Sequence, residues 1–260
     1  MSKAIALGIV GVAASFAMLA FGFVAGSNPG PVAQAHVSSA SIAERGDVEA
    51  IVRDYLLANP DILIEMQAAL DLREHESQRL AQIDAIRGAS ADIFNAAHDG
   101  IFGNPQGSVT IVEFFDYNCG YCKRAMEDME AMVAEDPELR FVLKEFPILG
   151  PDSHKAHVVS MAFRNLMPEK YGDFHRALLG GGRATEEAAI GVALALGADE
   201  AALREEMKNP AIQAAFEQTY DLASQLAVTG TPSYVVGGEV VFGAQGQDVL
   251  KEKVELARPL

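Results

Sequence analysis

The sequence predicts an α/β protein: a mixed sheet interrupted by an inserted helical subdomain and preceded by an N-terminal helical segment that self-associates. Three observations carry this. An apolar, strand-like run, Val109-Thr-Ile-Val-Glu-Phe-Phe115, leads into Cys119-Gly120-Tyr121-Cys122, which opens a helical pattern. A long helical stretch over 153–226 then separates that unit from a short hairpin near the C-terminus. Two amphipathic helical patterns occupy 47–87, ahead of the mixed α/β region.

In chain order, Lys3 is followed by an uncharged apolar stretch from Ala4 to about Gly26, then Ser27-Asn-Pro-Gly-Pro31 and Val32-Ala-Gln-Ala35. A positive start, an apolar core, a Gly/Pro break and Ala-x-Ala predict a secretory signal over 1–35. The apolar stretch is also long enough to span a bilayer, so an uncleaved inner-membrane anchor is the alternative. Either way residues 36 onward lie outside the cytoplasm, where disulfides persist. His36 to Gly46 is polar and small and reads as a flexible leader.

Asp47 is the expected N-cap of a helix over Val48–Ala58, whose apolar face is Ile51, Val52, Tyr55 and Leu56. Asn59-Pro60 restarts the chain, with Asn as N-cap and Pro at the first helical position, into a helix from Asp61 to about Arg87. Leu63, Met66, Leu70, Leu80 and Ile83 form a stripe there, interrupted by Arg73 and Ser77. Two helices are too few to bury their own apolar faces, so 36–90 is expected to be an oligomerisation segment, with cover of the main domain as the alternative.

From about Ala91 the pattern is mixed. Strand Val109–Phe115, helix Cys119–Ala134 and strand Phe141–Phe146, ended by Pro147, form a β-α-β unit. The helical insertion, about 150–226, is punctuated by Asn165, Pro168, Gly180-Gly-Gly182, Gly197 and Pro210. Ser233–Val236 and Glu239–Phe242 flank Gly237-Gly238 as a hairpin, and a terminal helix runs from Gln247 to about Leu256. This is the order of a thioredoxin fold with an inserted helical subdomain, over 91–260.

Cys119 and Cys122 are the only cysteines in the chain. At a helix start, unpaired backbone N–H groups and the helix dipole stabilise a thiolate on the first cysteine, and the spacing lets the second form or resolve a disulfide. Zinc needs about four ligands; no second CxxC exists and the six histidines are scattered, so neither a metal nor another cofactor is expected. The competing class is a Cu(I) carrier, because soft thiolates suit Cu(I). His154 and His157 read as helix-surface residues rather than copper ligands. A net charge of −16 argues against nucleic-acid partners.

Phe114-Phe-Asp-Tyr-Asn-Cys-Gly-Tyr-Cys-Lys-Arg124, together with Thr229-Gly-Thr-Pro-Ser233, resembles the DsbA-like thioredoxin-fold proteins of the bacterial periplasm. The resemblance implies that Pro232 is cis and faces the CxxC, with Thr231 beside the reactive sulfur offering backbone hydrogen bonds to substrate. It implies a carboxylate role for Glu113, accepting the Cys122 proton; the alternative is an edge or solvated position. Lys144 and Glu145, adjacent on the next strand, point to opposite faces, which puts one of them toward the active site. Gly120-Tyr121, with Thr231 before the proline, is similar to DsbC-type isomerases, where DsbA has Pro-His. Leu56-Leu-Ala-Asn-Pro-Asp-Ile-Leu63 resembles the leader of ScsC proteins, DsbA-like enzymes linked to copper-stress tolerance, some of which trimerise through it. The resemblance implies a periplasmic isomerase or reductase acting on disulfides of exported proteins. It would be homo-oligomeric and kept reduced by a DsbD- or ScsB-like membrane reductase, with a DsbA-type oxidase as the alternative.

Overall fold

The computed structural model describes residues 40–258, so the expected signal or anchor lies outside the described residues. Among the described residues no helix is long and apolar enough to cross a membrane. The chain divides into two compact units between Gln67 and Ala68, inside the second helix.

The first unit holds helix α1 (Ala40–Ala58) and the start of α2 (Asp61–Gly88). Helix α1 begins upstream of the expected cap: Asp47 lies in its interior, and the leader expected to be flexible is helical from Ala40. A run of Ala, Ser, Ile and Glu before Gly46 favours helix more than its small size suggests, and one glycine costs only about 1 kcal/mol. Asn59 serves both helices. Its side-chain amide and its backbone N–H both donate to Tyr55 O, at 2.8 and 2.9 Å, so it also closes α1, while its carbonyl accepts from Ile62 N at 3.2 Å at the start of α2. Ile51, Tyr55, Leu57, Leu63 and Ile64 are all more than half exposed.

In the second unit a five-stranded mixed sheet has the order β1-β3-β2-β4-β5. Its strands are β1 (Gly100–Gly103), β2 (Val109–Phe115), β3 (Leu139–Glu145), β4 (Ser233–Val236) and β5 (Glu239–Phe242). Only β2 and β3 are parallel, joined through helix α4 (Gly120–Glu135). The other pairs, β1–β3, β2–β4 and β4–β5, are antiparallel. Strand β2 reads as a nearly unbroken apolar run because helices cover both faces of the sheet. Val109, Ile111 and Phe115 join one core, with Phe141 and Leu143 of β3 and with the insertion; Val112 and Phe114 join another with Val142 and Val235.

The insertion consists of α5 (Pro151–Leu166), a 3₁₀ turn (Pro168–Lys170), α6 (Tyr171–Gly180), α7 (Glu186–Ala195), α8 (Glu200–Glu206) and α9 (Pro210–Gln225). The breaks fall at Pro168, Gly180–Gly182, Gly197 and Pro210, where the chain loses a donor or needs backbone freedom. Thr185, Asp199 and Asn209 cap the helices that come after them. A short helix α3 (Ser90–Phe94) precedes β1, and α10 (Gln247–Ala257) closes the fold against α4, β2 and β4.

Candidate active site

Cys119 is the N-cap of α4. Its sulfur accepts from Cys122 N at 3.4 Å, and its thiol donates to Thr231 O at 3.1 Å. The Thr231–Pro232 peptide is cis. Gly243 N donates to Pro232 O at 2.9 Å, which ties this turn to the end of β5. Thus residues 112 positions apart in sequence meet at one sulfur. Both cysteines are free thiols.

The two sulfurs differ in environment. A hydrogen bond from Cys122 is the largest influence on Cys119. Burial opposes it, but Thr231 and the Cys122 and Tyr121 amides add to it, and the thiol falls to about 5. Cys122 is 1% exposed, and burial pushes its thiol far upward, with its bond to Cys119 and the Glu113 charge adding to the effect. The arrangement therefore holds one ready thiolate and one proton-retaining thiol.

Glu113 is buried on β2, paired in register with Leu143 and Tyr234, so the edge or solvated position is excluded. Its Oε2 has no hydrogen-bond partner. Burial, and secondarily the Cys119 charge, raise its carboxyl to about 8. The Glu113 charge is one of the influences that raise the Cys122 thiol, so the two groups are in electrostatic reach of each other.

Lys144 and Glu145 are both buried, on opposite faces as alternation requires. Lys144 Nζ pairs with Asp99 Oδ2 at 2.6 Å and also donates to Asp92 O, away from the dithiol. Glu145 accepts from Ser160 Oγ at 2.6 Å and Tyr171 OH at 2.8 Å, and bonds His157 Nδ1.

His157 is wholly buried, which corrects the surface placement expected for it; His154 is half-buried. Ser153, His157 and Ser160 recur at helical spacing along α5 and all face inward. A polar stripe usually marks the solvated face; here it faces a polar loop, Asp116 to Asn118. Sequence reasoning missed Asp116 and Asn118, although their place immediately before the cysteine was a signal for them. Asp116 Oδ1 accepts from Asn118 N and Ser153 Oγ, each at 2.8 Å, and Oδ2 from Leu149 N at 2.9 Å. The Asn118 side chain donates to Ala184 O and accepts from Ala184 N, both at 2.9 Å. Lys123 Nζ donates to Gly181 O at 2.9 Å and to Gly182 O, joining α4 to the insertion. On the outer surface Tyr121 is 60% exposed beneath the Arg124 guanidinium, 4.2 Å from its ring centroid.

The family described as DSBA-like thioredoxin domain matches residues 110–255, and the one described as Copper resistance protein ScsC N-terminal domain matches 44–76. A thioredoxin-like oxidoreductase from Silicibacter pomeroyi DSS-3 is 41% identical, covering 65% of this chain and 96% of that one, with a TM-score of 0.61. Proteus mirabilis ScsC in a transitional conformation is 25% identical over 83% of this chain and 95% of that chain, with a TM-score of 0.56. Disulfide bond formation protein D of Bacillus subtilis (strain 168) is 25% identical over 167 residues, 60% of this chain and 75% of that protein.

Proposed function

The chain belongs to the DSBA-like thioredoxin family and is a thiol–disulfide oxidoreductase, and on that footing we propose that it acts mainly as a periplasmic disulfide isomerase and reductase on exported proteins. The observation that carries the chemistry is Cys119 Sγ at the start of α4, with Thr231 O at 3.1 Å and a buried Cys122 behind it.

The Cys119 thiolate attacks a substrate disulfide, forms a mixed disulfide and expels one substrate thiolate. A substrate thiolate then attacks the substrate sulfur of that mixed disulfide, which regenerates Cys119 with a new substrate pairing. Alternatively, Cys122 gives up its proton, with Glu113 as acceptor, and attacks Cys119. That releases reduced substrate and leaves a Cys119–Cys122 disulfide. The second route consumes the dithiol, so a membrane dithiol reductase of the DsbD or ScsB type must return two electrons. Thr231 and Pro232 present backbone to an extended substrate beside the sulfur.

Preference for isomerisation over oxidation is supported by Gly120-Tyr121 and Thr231, and by the N-terminal segment, whose apolar side chains are exposed. Joining copies through that segment, as a trimer or another homo-oligomer, gathers several dithiols around one client and screens them from an oxidase. The match of 44–76 supports a link to copper tolerance. In that setting damaged disulfides are the substrate, and Cu(I) carriage by the dithiol is the rival reading.

The deciding experiment is recovery of ribonuclease activity from scrambled disulfides, comparing 36–260, 91–260 and Cys119→Ala. The reading expects 36–260 to unscramble, 91–260 to lose this while still oxidising reduced substrate, and Cys119→Ala to do neither. Oxidation alone, equal in both lengths, would make it a DsbA-type oxidase. Neither activity, with Cu(I) bound through both cysteines, would make it a carrier.

A further inference from the structure

Asp116, Tyr117 and Asn118 lie between the end of β2 and the start of α4, outside regular structure, yet they set where Cys119 stands. Cys119 N itself donates to Asp116 O at 2.9 Å. The side chains of Asp116 and Asn118 anchor the two ends of this turn, on Ser153 and Leu149 and on Ala184. Its middle is held differently: Tyr117 N donates to His157 Nε2 at 3.2 Å, in a fully buried contact.

An imidazole accepts at Nε2 only when neutral, with its proton on Nδ1. Glu145 Oε2 sits on that Nδ1, and Oε1 is held by Ser160 and Tyr171. The carboxylate therefore selects the tautomer, and donors from α5 and α6 fix the carboxylate. Burial disfavours the imidazolium, while the Glu145 and Asp116 charges favour it and draw the pKa upward. The Tyr117 amide decides against it, because a protonated Nε2 would face another donor. Asp116 Oδ1 lies 3.9 Å from Nε2, and the Phe115 and Tyr117 rings pack on the imidazole at 5.2 and 4.7 Å. His175 reaches Tyr117 OH at 3.4 Å.

We infer that Glu145 and His157 are positioning residues for the dithiol: the carboxylate orients the imidazole, the imidazole holds the Tyr117 amide, and the turn so held presents the Cys119 sulfur to Thr231 O and Cys122 N. The inference rests on the reading of Cys119 as the attacking thiolate. Its physical basis is that a buried N–H without an acceptor is costly, so removing Nε2 drives the turn to shift toward another acceptor. Cys119 accepts from Cys122 N at 3.4 Å, an ordinary N–H···S length that depends on where the turn holds the sulfur, and displacing the turn weakens it. A histidine that merely filled space would be indifferent to which nitrogen carries the proton.

The test uses the full chain with the dithiol reduced. His157→Gln restores an acceptor oxygen near the Nε2 position, whereas His157→Leu fills the space without one. The readouts are the pH profile of iodoacetamide alkylation, with mass spectrometry to locate the modified cysteine, and the dithiol equilibrium in glutathione buffers. The inference expects the Leu variant to shift the alkylation midpoint upward, slowing Cys119 about tenfold at pH 5. The Gln variant stays within about threefold of the unaltered protein. Independently of any variant, ¹⁵N spectra should show His157 with its proton on Nδ1 and a through-hydrogen-bond coupling from Tyr117 N to Nε2; this decides the matter if the Leu variant does not fold. Equal midpoints in all three proteins, equal shifts in both variants, or a proton on Nε2 would overturn it. Alkylation of Cys122 first in the unaltered protein would overturn the Cys119 reading, and this inference with it.

Discussion

Replacing Glu113 with glutamine keeps the side chain's shape and removes its charge. In the folded protein its carboxyl is raised from an ordinary 4.5 to about 8, first by burial and then by the Cys119 charge. The folded state therefore holds the proton more tightly than the unfolded chain does. Below about pH 4 both states are protonated and nothing is lost, and stability falls as pH rises toward 8. At about 1.36 kcal/mol per pH unit, the raised carboxyl costs about 3 kcal/mol at pH 7, where the fold must keep it protonated, and roughly 5 above pH 9, where it ionises in place. Urea unfolding of the reduced protein from pH 4 to 9, followed by tyrosine near-UV circular dichroism, measures this directly. Glu113→Gln should match the unaltered protein near pH 4 and exceed it by about 3 kcal/mol at pH 7. Oxidising the dithiol removes the Cys119 charge and should narrow that gap. Stability curves that run parallel from pH 4 to 9 would refute a buried, pKa-raised Glu113.

Other consequences are as direct. Alkylation of the native reduced protein should fall on Cys119 with a midpoint near pH 5, leaving Cys122 unmodified until unfolding; a midpoint near 9 would remove the thiolate from the mechanism. Lys144→Met strands the Asp99 carboxylate, whose side chain is 3% exposed, and should cost about 3–5 kcal/mol. The loss should be greater at pH 8 than at pH 5, where the carboxyl can take up a proton, and Asp99→Asn in the same background should recover most of it in thermal melts. Gly100→Ala places a Cβ 1.9 Å from Tyr171 Cε1, and this ring is buried with its hydroxyl on Glu145. Urea titration should show a loss of about 1–3 kcal/mol or more, and a change within about 0.5 kcal/mol would mean that the ring moves freely.

Local pattern makes much of the fold legible. Strand β2 announces itself by Val, Ile and Phe in a short run, and the β4–β5 hairpin by Gly237-Gly238 between alternating residues. Strand β1 leaves no such signal: it has four residues, two of them glycine, and its partner β3 lies some forty positions away. The helix start at Ala40 and the bonds of Asn59 back to Tyr55 show the same limit. A capping residue can serve the helix before it or the one after it, and only geometry chooses. His157 reads as a surface residue because polar side chains on a helix usually meet water; in the fold they meet the loop that carries the cysteine.

By itself the sequence determined the chemistry of this protein: a lone cysteine pair at the start of a helix, a Thr-Pro turn ahead of a hairpin, and one acid in an apolar strand. These are local facts, set by spacing and by the intrinsic properties of the side chains. The tertiary structure alone decided that Glu113 is dry and without a partner at Oε2, and that Glu145 and His157 lie behind the active-site turn. Those outcomes depend on burial and on hydrogen bonds between residues 12 to 112 positions apart, and desolvation is a property of an assembled interior rather than of any segment of the chain.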